Sequence, residues 1–548
     1  MPPFQPERVA VIGGGCTGIT TFWALQNSAH DVHLFEASDS LGGRVNALPF
    51  EHNGHRVDVN TSSPNFNAGA SPNLVSLLDY LGITSAKAPF SFGATDGIDS
   101  FQWCGSILKS ILLRPWTLCN LETYRILCDA VWLKYMAVDV LDPGFEACKP
   151  TDPQSLSSHE YLAGEEYSNT FIENYLAPLL SILWSTNAGK FLPRVPAKAL
   201  VQALHHHQLL KPRQALPNWR RIGPGMSQFI QTMTKSFPSS KVHLKTRVTE
   251  IVQYGKKFGI MTSAGEELFF NHIVFAVNGQ ETIKILGSLA NEQEKGIIRS
   301  LGSTRNISVL HSDPLVRPIY FPYICPTDLT NQLMPNVEDP GPACNYILGP
   351  SNQDWQTQPS NTTTTITSHI SSLSYIANFV DSIPSHLFGP IYITLNPFTP
   401  PHPSHVQGVW EFTDPEPSAQ TLIAQHHLPT IQNKRGLSYG FCWTGRGHLE
   451  DAITAGLRIA IQDLGAEAPF HVQFHQDPLE AAASGPPPSL GLRDNVIRTI
   501  IRLIHVYVLI LRFVLVLLRA LPGAAEKAKT RFRSVCNATT SGTKKKRS

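Results

Sequence analysis

The chain has little charge, and its cysteines are not arranged in pairs. Only 16% of the 548 residues are Asp, Glu, Lys or Arg, and the formal net charge is +2. So small a charge excludes a general affinity for nucleic acid. Nine cysteines occur without a CxxC pair or a short regular spacing, so the sequence indicates neither a metal site nor a disulfide framework.

The N-terminus lacks the apolar stretch of a secretory signal. Residues 1–7 are few, contain prolines and are mostly polar, and a strand is predicted directly after them. We therefore expect the catalytic part of the chain to face the cytosol. No internal repeat is visible, and 42% hydrophobic residues over this length predict a globular protein of more than one domain.

The first motif is RVAVIGGGCTGITTFW at residues 8–23. An apolar strand over Val9–Ile12 leads into a GxGxxG turn, and a helix is predicted over Ile19–Leu25. In such a turn the glycines allow a tight bend, a close approach to a pyrophosphate and close helix–strand packing, and the helix N-terminus attracts phosphate. The predicted nucleotide-binding residues of this turn are Gly13, Gly15, Cys16, Thr17 and Gly18. An ordinary structural turn is the alternative.

A second strand, predicted over Asp31–Phe35, ends at an acid. Glu36 stands at the spacing at which a carboxylate accepts hydrogen bonds from both hydroxyls of a ribose. Strand, glycines, helix, strand and acid in this order predict a dinucleotide site.

The residues after Glu36 make the prediction more specific. Glu36-Ala37 is followed by Gly42-Gly43-Arg44, and this run resembles the FAD-binding segment of the flavin amine oxidase and phytoene desaturase superfamily. The resemblance implies that Ala37, the glycine pair and Arg44 line the cofactor, which would be FAD rather than NAD. A plain loop is the alternative for Gly42 and Gly43.

The resemblance covers about residues 8–463 and implies a fold class. That fold is α/β, with a Rossmann-type FAD-binding domain, an interleaved α+β substrate domain and, in this chain, a C-terminal apolar helix. The expected domains are FAD-binding parts at 1–84, 215–300 and 431–466, substrate-domain parts at 85–214 and 301–430, a linker at 467–494 and a membrane-associating helix with a basic tail at 495–548. Residues 85–214 are expected to be mostly helical.

Three later segments resemble cofactor-binding segments of the superfamily. Trp219 and Arg220 stand in an NWR run before a glycine turn, and Val248 lies in a predicted strand over 241–253 whose backbone would pair with adenine. Near the C-terminal end a strand passes through Gly445 into a helix that begins near Leu449. The resemblance implies that this helix, with Glu450 and Asp451 in its first turn, points its N-terminus at the flavin pyrimidine.

Two features depart from the superfamily. Many flavin amine oxidases place a lysine on a substrate-domain strand, but no lysine occurs between Gly296 and Lys434. Phe441-Cys442-Trp443 stands where an acidic residue is usual, and Cys442 is not in the motif of a covalent flavin attachment. We therefore expect non-covalent FAD and a reaction other than amine oxidation.

The catalytic candidates are Trp219, His311 and Trp443, with His448 as a further residue near the flavin by motif position. Tryptophans beside glycine turns are often core residues, and Arg220 could be solvated instead of touching cofactor. The histidines at 205–207 lie on a predicted helix without metal-ligand spacing, and a partly exposed helix face is expected there.

The C-terminal run at 495–521 is apolar but interrupted by basic residues. Arg498, Arg502, His505, Arg512 and Arg519 fall on one side of a helical wheel. The stripe favours an interfacial helix, which the basic tail at 544–547 would help to bind to anionic lipid. A tilted single span and a helix docked on protein are the alternatives.

The sequence therefore predicts an FAD-dependent oxidoreductase that is associated with a cytosol-facing membrane surface, for which the endoplasmic reticulum is a candidate. Its expected partners are a small-molecule substrate and membrane lipid. Hydride would pass from a C–H bond of an apolar or amphipathic molecule to flavin N5. Amine oxidation, flavin-assisted isomerisation and a non-catalytic flavin-binding membrane scaffold are the alternatives.

Overall fold

A computed structural model of the chain describes residues 5–62, 65–88, 92–95, 102–104, 119–141, 156–184, 192–207, 209, 218–313, 344–348, 371–397, 400–474 and 491–541. The chain forms two compact units. One comprises residues 1–130 and 139–485, and the other comprises 131–138 and 486–548.

The strands of the described part are, in chain order, β1 Arg8–Ile12, β2 Asp31–Phe35, β3 Ala47–His52, β4 His55–Asn60, β5 Asn65–Asn67, β6 Ser85–Lys87, β7 Phe92–Thr95, β8 Gln102–Cys104, β9 Trp219–Ile222, β10 Val242–His243, β11 Val248–Tyr254, β12 Lys257–Thr262, β13 Glu267–Phe270, β14 His272–Phe275, β15 Ser303–His311, β16 Cys344–Leu348, β17 Ser371–Ile376, β18 Tyr392–Leu395, β19 Val406–Pro415 and β20 Leu437–Tyr439.

The helices are α1 Cys16–Leu25, α2 Pro72–Tyr80, α3 Leu121–Met136, α4 Ser158–Gly164, α5 Asn169–Phe171, α6 Ala177–Trp184, α7 Ala197–His206, α8 Met226–Thr234, α9 Gly279–Leu286, α10 Glu292–Ser300, α11 Ala377–Val380, α12 Ser385–Phe388, α13 Ala419–His427, α14 Leu449–Arg458 and α15 Leu492–Ser541. A π-helical segment at Ile172–Leu176 joins α5 to α6, and another at Ile459–Asp463 continues α14.

Three distant parts of the sequence build one parallel sheet. Its strand order is β10-β2-β1-β14-β20, and every neighbouring pair is parallel. The chain leaves the sheet after β2 and returns more than 200 residues later, so strands that are neighbours in space are far apart in sequence. The carboxyl ends of β1 and β2 carry the glycine turn and Glu36, at the edge where α/β sheets bind ligands.

The parallel sheet is buried on both faces, which explains its continuous apolar runs. Val9 and Val11 of β1 pack into a core with helices α1, α2, α8 and α14. Ala10 and Ile12 point to the other face, where they join a core with the antiparallel strands β11–β13 and helices α9 and α10.

A seven-stranded sheet with the order β19-β15-β18-β17-β16-β7-β8 forms a second layer. All its neighbouring pairs are antiparallel except β16 and β7. The long pairing of β15 with β19 brings residues 303–311 against residues 406–415. This sheet also combines distant segments of the sequence.

Most element predictions are confirmed, and some are wrong in detail. The strand predicted over 31–35 has those bounds, and α14 begins at Leu449 as expected. Helix α1 begins earlier than predicted, at Cys16. The strand predicted over 241–253 is broken into β10 and β11, because Lys245 takes a positive φ of 52° in the turn between them. The mostly helical region expected from residue 85 starts instead with the strands β6, β7 and β8.

The second unit contains the C-terminal helix α15. Over Leu492–Leu517 it is long and apolar enough to cross a membrane, by length and composition, and this stretch is not buried. The ring of Trp132, from the other segment of this unit, lies 4.8 Å from the ring of His505.

Candidate functional site

A cavity of about 350 Å³ lies in the larger unit, beside the carboxyl ends of β1 and β14. Its wall combines many distant regions of the sequence, among them the two N-terminal glycine turns, the ends of helices α6 and α7, strand β19 and the turn before α14. The residues discussed below that line it are Gly15, Cys16, Thr17, Gly42, Arg44, Trp184, His207, Trp219, Asp414, His448 and Glu450.

The first glycine turn has the tight geometry that its sequence predicts. Gly13 takes a φ of 107°, which L side chains rarely adopt, and its N–H donates to the carbonyl of Phe35 at 2.8 Å. A Cβ on Gly18 would overlap the carbonyl oxygen of Gly13. The second turn is held against the first, since the N–H of Gly42 donates to the carbonyl of Gly14 at 2.8 Å.

The N-terminus of α1 opens into the cavity. No side chain caps this helix, and its first turn has no acidic residue. A Cβ on Gly15 would meet nothing within 4 Å, so a ligand can approach this backbone closely. Burial raises the pKa of the Cys16 thiol to about 12, so no thiolate opposes an anion. Uncapped helical N–H groups are a binding site for phosphate.

Glu36 lies directly after β2, beside the glycine turn. Its carboxylate accepts hydrogen bonds from the N–H of Gly14 at 2.6 Å and from the N–H of Ser38 at 2.8 Å. The carboxylate is therefore fixed at the edge of the sheet, outside the set of residues that line the cavity.

Arg44 pairs with a buried acid from the second sheet. Its guanidinium forms an ion pair with Asp414 of β19, whose side chain is fully buried, and lies 4.4 Å from the centre of the Phe412 ring. The other carboxylate oxygen of Asp414 accepts a hydrogen bond from the Asn306 amide at 2.9 Å. The pair fixes Arg44 in the cavity wall and neutralises its charge locally.

His448 is the N-cap of α14. The N–H of Asp451 donates to the backbone carbonyl of His448 at 3.1 Å, and the Asp451 carboxylate accepts a hydrogen bond from the N–H of His448 at 2.9 Å. These two bonds hold the backbone of His448 at the cavity wall. Burial lowers the pKa of His448, so the ring is neutral at neutral pH.

Glu450 joins two helices. Its buried carboxylate accepts hydrogen bonds from the N–H groups of Asn73 at 3.0 Å and Leu74 at 2.7 Å, in the first turn of α2. Burial raises the pKa of Glu450 to about 7, while those two hydrogen bonds oppose the rise. The side chain thus caps α2 from α14 and closes one side of the cavity.

His207 follows α7, and its ring is buried in the cavity wall. The expectation of a partly exposed helix face is wrong for this residue, whose exposed fraction is 6%. Its ring lies 4.7 Å from that of His448 and 6.4 Å from that of Trp219. Burial lowers the pKa of His207 well below its ordinary value.

The structure brings only some of the predicted site residues together. Those that line the cavity are Gly15, Cys16, Thr17, Gly42, Arg44, Trp219 and Glu450. Those that do not are Gly13, Gly18, Glu36, Ala37, Gly43, Arg220, Val248, Gly445, Asp451 and His311. Only the backbone of Trp443 lies in the described part, in the turn Cys442–Thr444.

Several of these residues have other partners. The guanidinium of Arg220 is exposed and donates to Ser85 Oγ at 3.0 Å. His311 is fully buried, and its Nε2 lies 2.8 Å from Thr394 Oγ1 in the second sheet. Burial lowers the pKa of His311 to about 4. Their roles in cofactor binding and catalysis remain predictions.

Sequence reasoning missed Asp414 and His207. Asp414 stands in TDPEP, which reads as a loop, and nothing in the sequence pairs it with Arg44, 370 residues earlier. A signal did exist for His207, because it lies three and seven residues after Leu204 and Leu200, both of which are buried.

Residues 16–309, more than half of the chain, match the sequence pattern of flavin containing amine oxidoreductases. The chain belongs to this family. It is therefore an FAD-dependent oxidoreductase.

Solved structures of related fold support the assignment at the level of architecture. The chain is similar to a CLA-producing fatty acid isomerase from P. acnes, with a TM-score of 0.51 and 13% identity over 83% of this chain and 98% of that one. Putrescine oxidase gives a TM-score of 0.51 and 11% identity over 84% and 99% of the two chains. Cyclohexylamine oxidase from Brevibacterium oxydans gives 0.50 and 14% over the same shares. At these identities the likeness shows the fold alone.

Curated relatives match over a short segment. The L-amino-acid oxidases of Demansia vestigiata and Pseudechis australis are each 41% identical over 55 residues. That segment spans 10% of this chain and 11% of each relative.

The residues present fit FAD. The open Gly15 backbone, the uncapped N-terminus of α1 and the Arg44 guanidinium line one cavity, and hydrogen-bond donors of this kind suit a pyrophosphate. The N-terminus of α14 reaches the same cavity through His448. This family member thus has two helix N-termini at the place where its sequence predicts the cofactor.

Proposed function

We propose that the enzyme oxidises a C–H bond of an apolar or amphipathic molecule that carries no amine, by desaturation or a related two-electron step. When bound, FAD would accept the hydride, and O2 or another acceptor would reoxidise it. In a desaturation the substrate would lose that hydride and, from the adjacent carbon, a proton that is released to solvent.

The charge state of the cavity carries this proposal. Arg44 is paired with Asp414, and burial keeps the rings of His207 and His448 neutral. Glu450 is bound to the backbone of α2. The charged groups of the described wall thus have protein partners, Asp414 for the Arg44 guanidinium and the N–H groups of α2 for the Glu450 carboxyl, so an ammonium group would lose hydration there with little gain.

Apolar side chains supply the rest of the wall that the proposal needs. Ile182, Leu183 and Trp184 at the end of α6 line the cavity, as does Trp219. Their surface suits a hydrocarbon chain or ring. The expected roles of the protein are to hold the cofactor through Gly15, Thr17 and Arg44 and to orient the substrate against these side chains in a site that excludes water.

The test is anaerobic reduction of the purified, FAD-loaded full-length chain. Flavin absorption near its visible maximum is followed with three sets of compounds: unsaturated and saturated lipids, long-chain ketones and alcohols, and matched primary amines. We expect bleaching by compounds without an amine. Bleaching by amines alone would identify an amine oxidase, and loss of substrate to an isomer without bleaching would identify an isomerase.

We further propose that the C-terminal helix binds the enzyme to a membrane, with the catalytic unit in the cytosol. The apolar stretch Leu492–Leu517 is exposed along almost its whole length. Its large exposed side chains, which include Leu503, Val508 and Phe513, would be costly to leave in water. The basic residues within it and in the tail favour an anionic surface.

Co-flotation of the full-length protein with vesicles tests the binding, and the chain itself offers a reporter of topology. Asn537-Ala538-Thr539 is an acceptor sequence for N-glycosylation. If α15 lies in the interface, Asn537 stays unmodified in microsomes. A glycosidase-sensitive mass shift that Asn537→Gln abolishes would identify a span with a lumenal C-terminus. Failure to float with neutral and with anionic vesicles would refute membrane binding.

A further inference from the structure

His207 lines the cavity, and hydrogen bonds hold its backbone in place. The N–H of His207 donates to the carbonyl of Ala203 at 3.0 Å, which ends helix α7. Its carbonyl accepts a hydrogen bond from Asn67 Nδ2 at 2.8 Å. Asn67 is buried and is itself held by the N–H of Gly69 at 3.0 Å. The backbone of His207 is therefore held by one hydrogen bond at its N–H and another at its carbonyl.

His207 and His448 line the cavity, and three of their ring nitrogens have no hydrogen-bond partner among the described residues. These are Nδ1 and Nε2 of His207 and Nε2 of His448, and all three are buried. A neutral imidazole carries one N–H and one bare nitrogen, and either ring nitrogen can hold the proton. The two rings lie 4.7 Å apart at 74°. Each can therefore donate one hydrogen bond, and His207 also offers an acceptor.

Buried polar atoms in folded proteins almost always have partners, so these three nitrogens indicate a ligand or bound water at this place. Arg446 lies close enough to both rings for its charge to lower the pKa of each, and Asp451 and Glu450 lie near Arg446, so a ligand here meets charges of both signs.

We propose that His207 and His448 form a subsite for a carbonyl or carboxylate oxygen at the polar end of the substrate. Such an oxygen has two lone pairs and can accept from both N–H groups, whereas an ammonium group accepts from neither and can only donate to the single bare nitrogen of His207. The apolar residues Ile182 and Leu183, which line the same cavity, suit the remainder of the molecule. This inference rests on the proposed function, because it identifies the polar end of that substrate.

Ligand binding to the FAD-loaded full-length chain tests the subsite without turnover. Decan-2-one, decanoate and decylamine share an apolar chain and differ in the polar end, and each is titrated while the flavin absorption spectrum is recorded. We expect the ketone and the carboxylate to bind at least tenfold more tightly than the amine. The ratio between ketone and carboxylate distinguishes an uncharged from a charged oxygen.

Variants of His207 assign the effect to this ring. His207→Leu is expected to raise the Kd of decan-2-one about tenfold, the value of one buried hydrogen bond, and to change the Kd of decylamine less than twofold. His207→Asn, which keeps an N–H, is expected to recover part of the affinity. His205→Asn, two residues earlier in the last turn of α7 and outside the cavity wall, is the matched control. Thermal unfolding verifies that each variant is folded, and His207→Asn replaces His207→Leu if the latter is not.

Three results would overturn the inference. The first is equal affinity for decylamine and decan-2-one, and the second is an unchanged Kd for decan-2-one in the His207 variants. The third is a raised Kd for FAD with unchanged ligand binding, which would make His207 a cofactor contact. If no compound reduces the flavin, the proposed reaction is contradicted. The affinity ratios still test the subsite, because they are measured without turnover.

Discussion

Helix α14 packs closely against α1 at Gly456. A Cβ placed on Gly456 would lie 2.6 Å from the carbonyl oxygen of Thr17 and 2.9 Å from Cβ of Thr20. An ordinary contact begins at about 3.4 Å, so Gly456→Ala forces the helices apart by close to 0.8 Å. Thr17 lies in the first turn of α1, which lines the cofactor cavity, so FAD binding must respond.

The magnitude follows from a matched pair of glycines. Gly296 also lies within a helix, α10, and a Cβ there would meet nothing within 4 Å. Both Gly→Ala changes gain about 1 kcal/mol of helix propensity. Only Gly456→Ala also costs about 1–3 kcal/mol of overpacking. The difference between the variants is therefore the overpacking cost alone.

The assay is thermal unfolding of both variants with and without FAD, together with the Kd of FAD. We expect Gly296→Ala to unfold at a higher temperature than the parent chain, with its Kd unchanged. Gly456→Ala is expected to unfold below Gly296→Ala and to bind FAD more weakly. Equal melting temperatures for the two variants and an unchanged Kd would refute the close contact.

Three further predictions concern buried charge. The pKa of Glu450 is raised to about 7 in the folded state, so its contribution to stability is full below pH 4.5 and is lost as the pH rises through 7. The melting temperature should therefore decline over this range, and Glu450→Gln should remove the decline. An unaltered decline in Glu450→Gln would contradict the prediction. Burial lowers the pKa of His272 to about 4, so stability that is present above pH 6.5 should fall by up to about 3 kcal/mol towards pH 4. The free energy of unfolding should fall less steeply in His272→Asn. The same acid dependence in both chains would exclude His272 as the cause. Asp414→Asn leaves Arg44 without its charged partner, so it should lower the free energy of unfolding by about 1–3 kcal/mol and weaken FAD binding. The control is Glu411→Gln, whose ion pair with Arg305 is exposed and which should change neither quantity.

The nucleotide-binding part could be predicted because its signals are local. Gly13, Gly18 and Glu36 act through backbone geometry and spacing within about 30 residues, which a single sequence shows directly. The strands β1 and β2 and the start of α14 were found for the same reason. The strand β10 was misread as continuous with β11, since Lys245 in the left-handed region has no strong sequence signal.

The rest of the cavity could not be predicted, because it depends on contacts between distant segments. Arg44 was assigned to the cofactor, but its ion pair with Asp414 exists only once β19 lies beside the glycine turn. Glu450 was assigned to the cofactor from its place in α14. Its carboxylate instead caps α2, a helix some 370 residues earlier in the chain. Pairing at this separation leaves no trace in composition or periodicity.

The Arg44–Asp414 pair also links the two parts of the site. Arg44 follows the glycine pair that contacts the α1 turn, and Asp414 belongs to the sheet that pairs β15 with β19. A substrate that shifts β19 would therefore move the guanidinium at the cofactor. Because Asp414 is fully buried and also bound by Asn306, no water can replace Arg44 beside this acid when the ion pair is broken. The coupling predicts that substrate binding and FAD binding strengthen each other in the parent chain and become independent in Asp414→Asn, which paired titrations would measure.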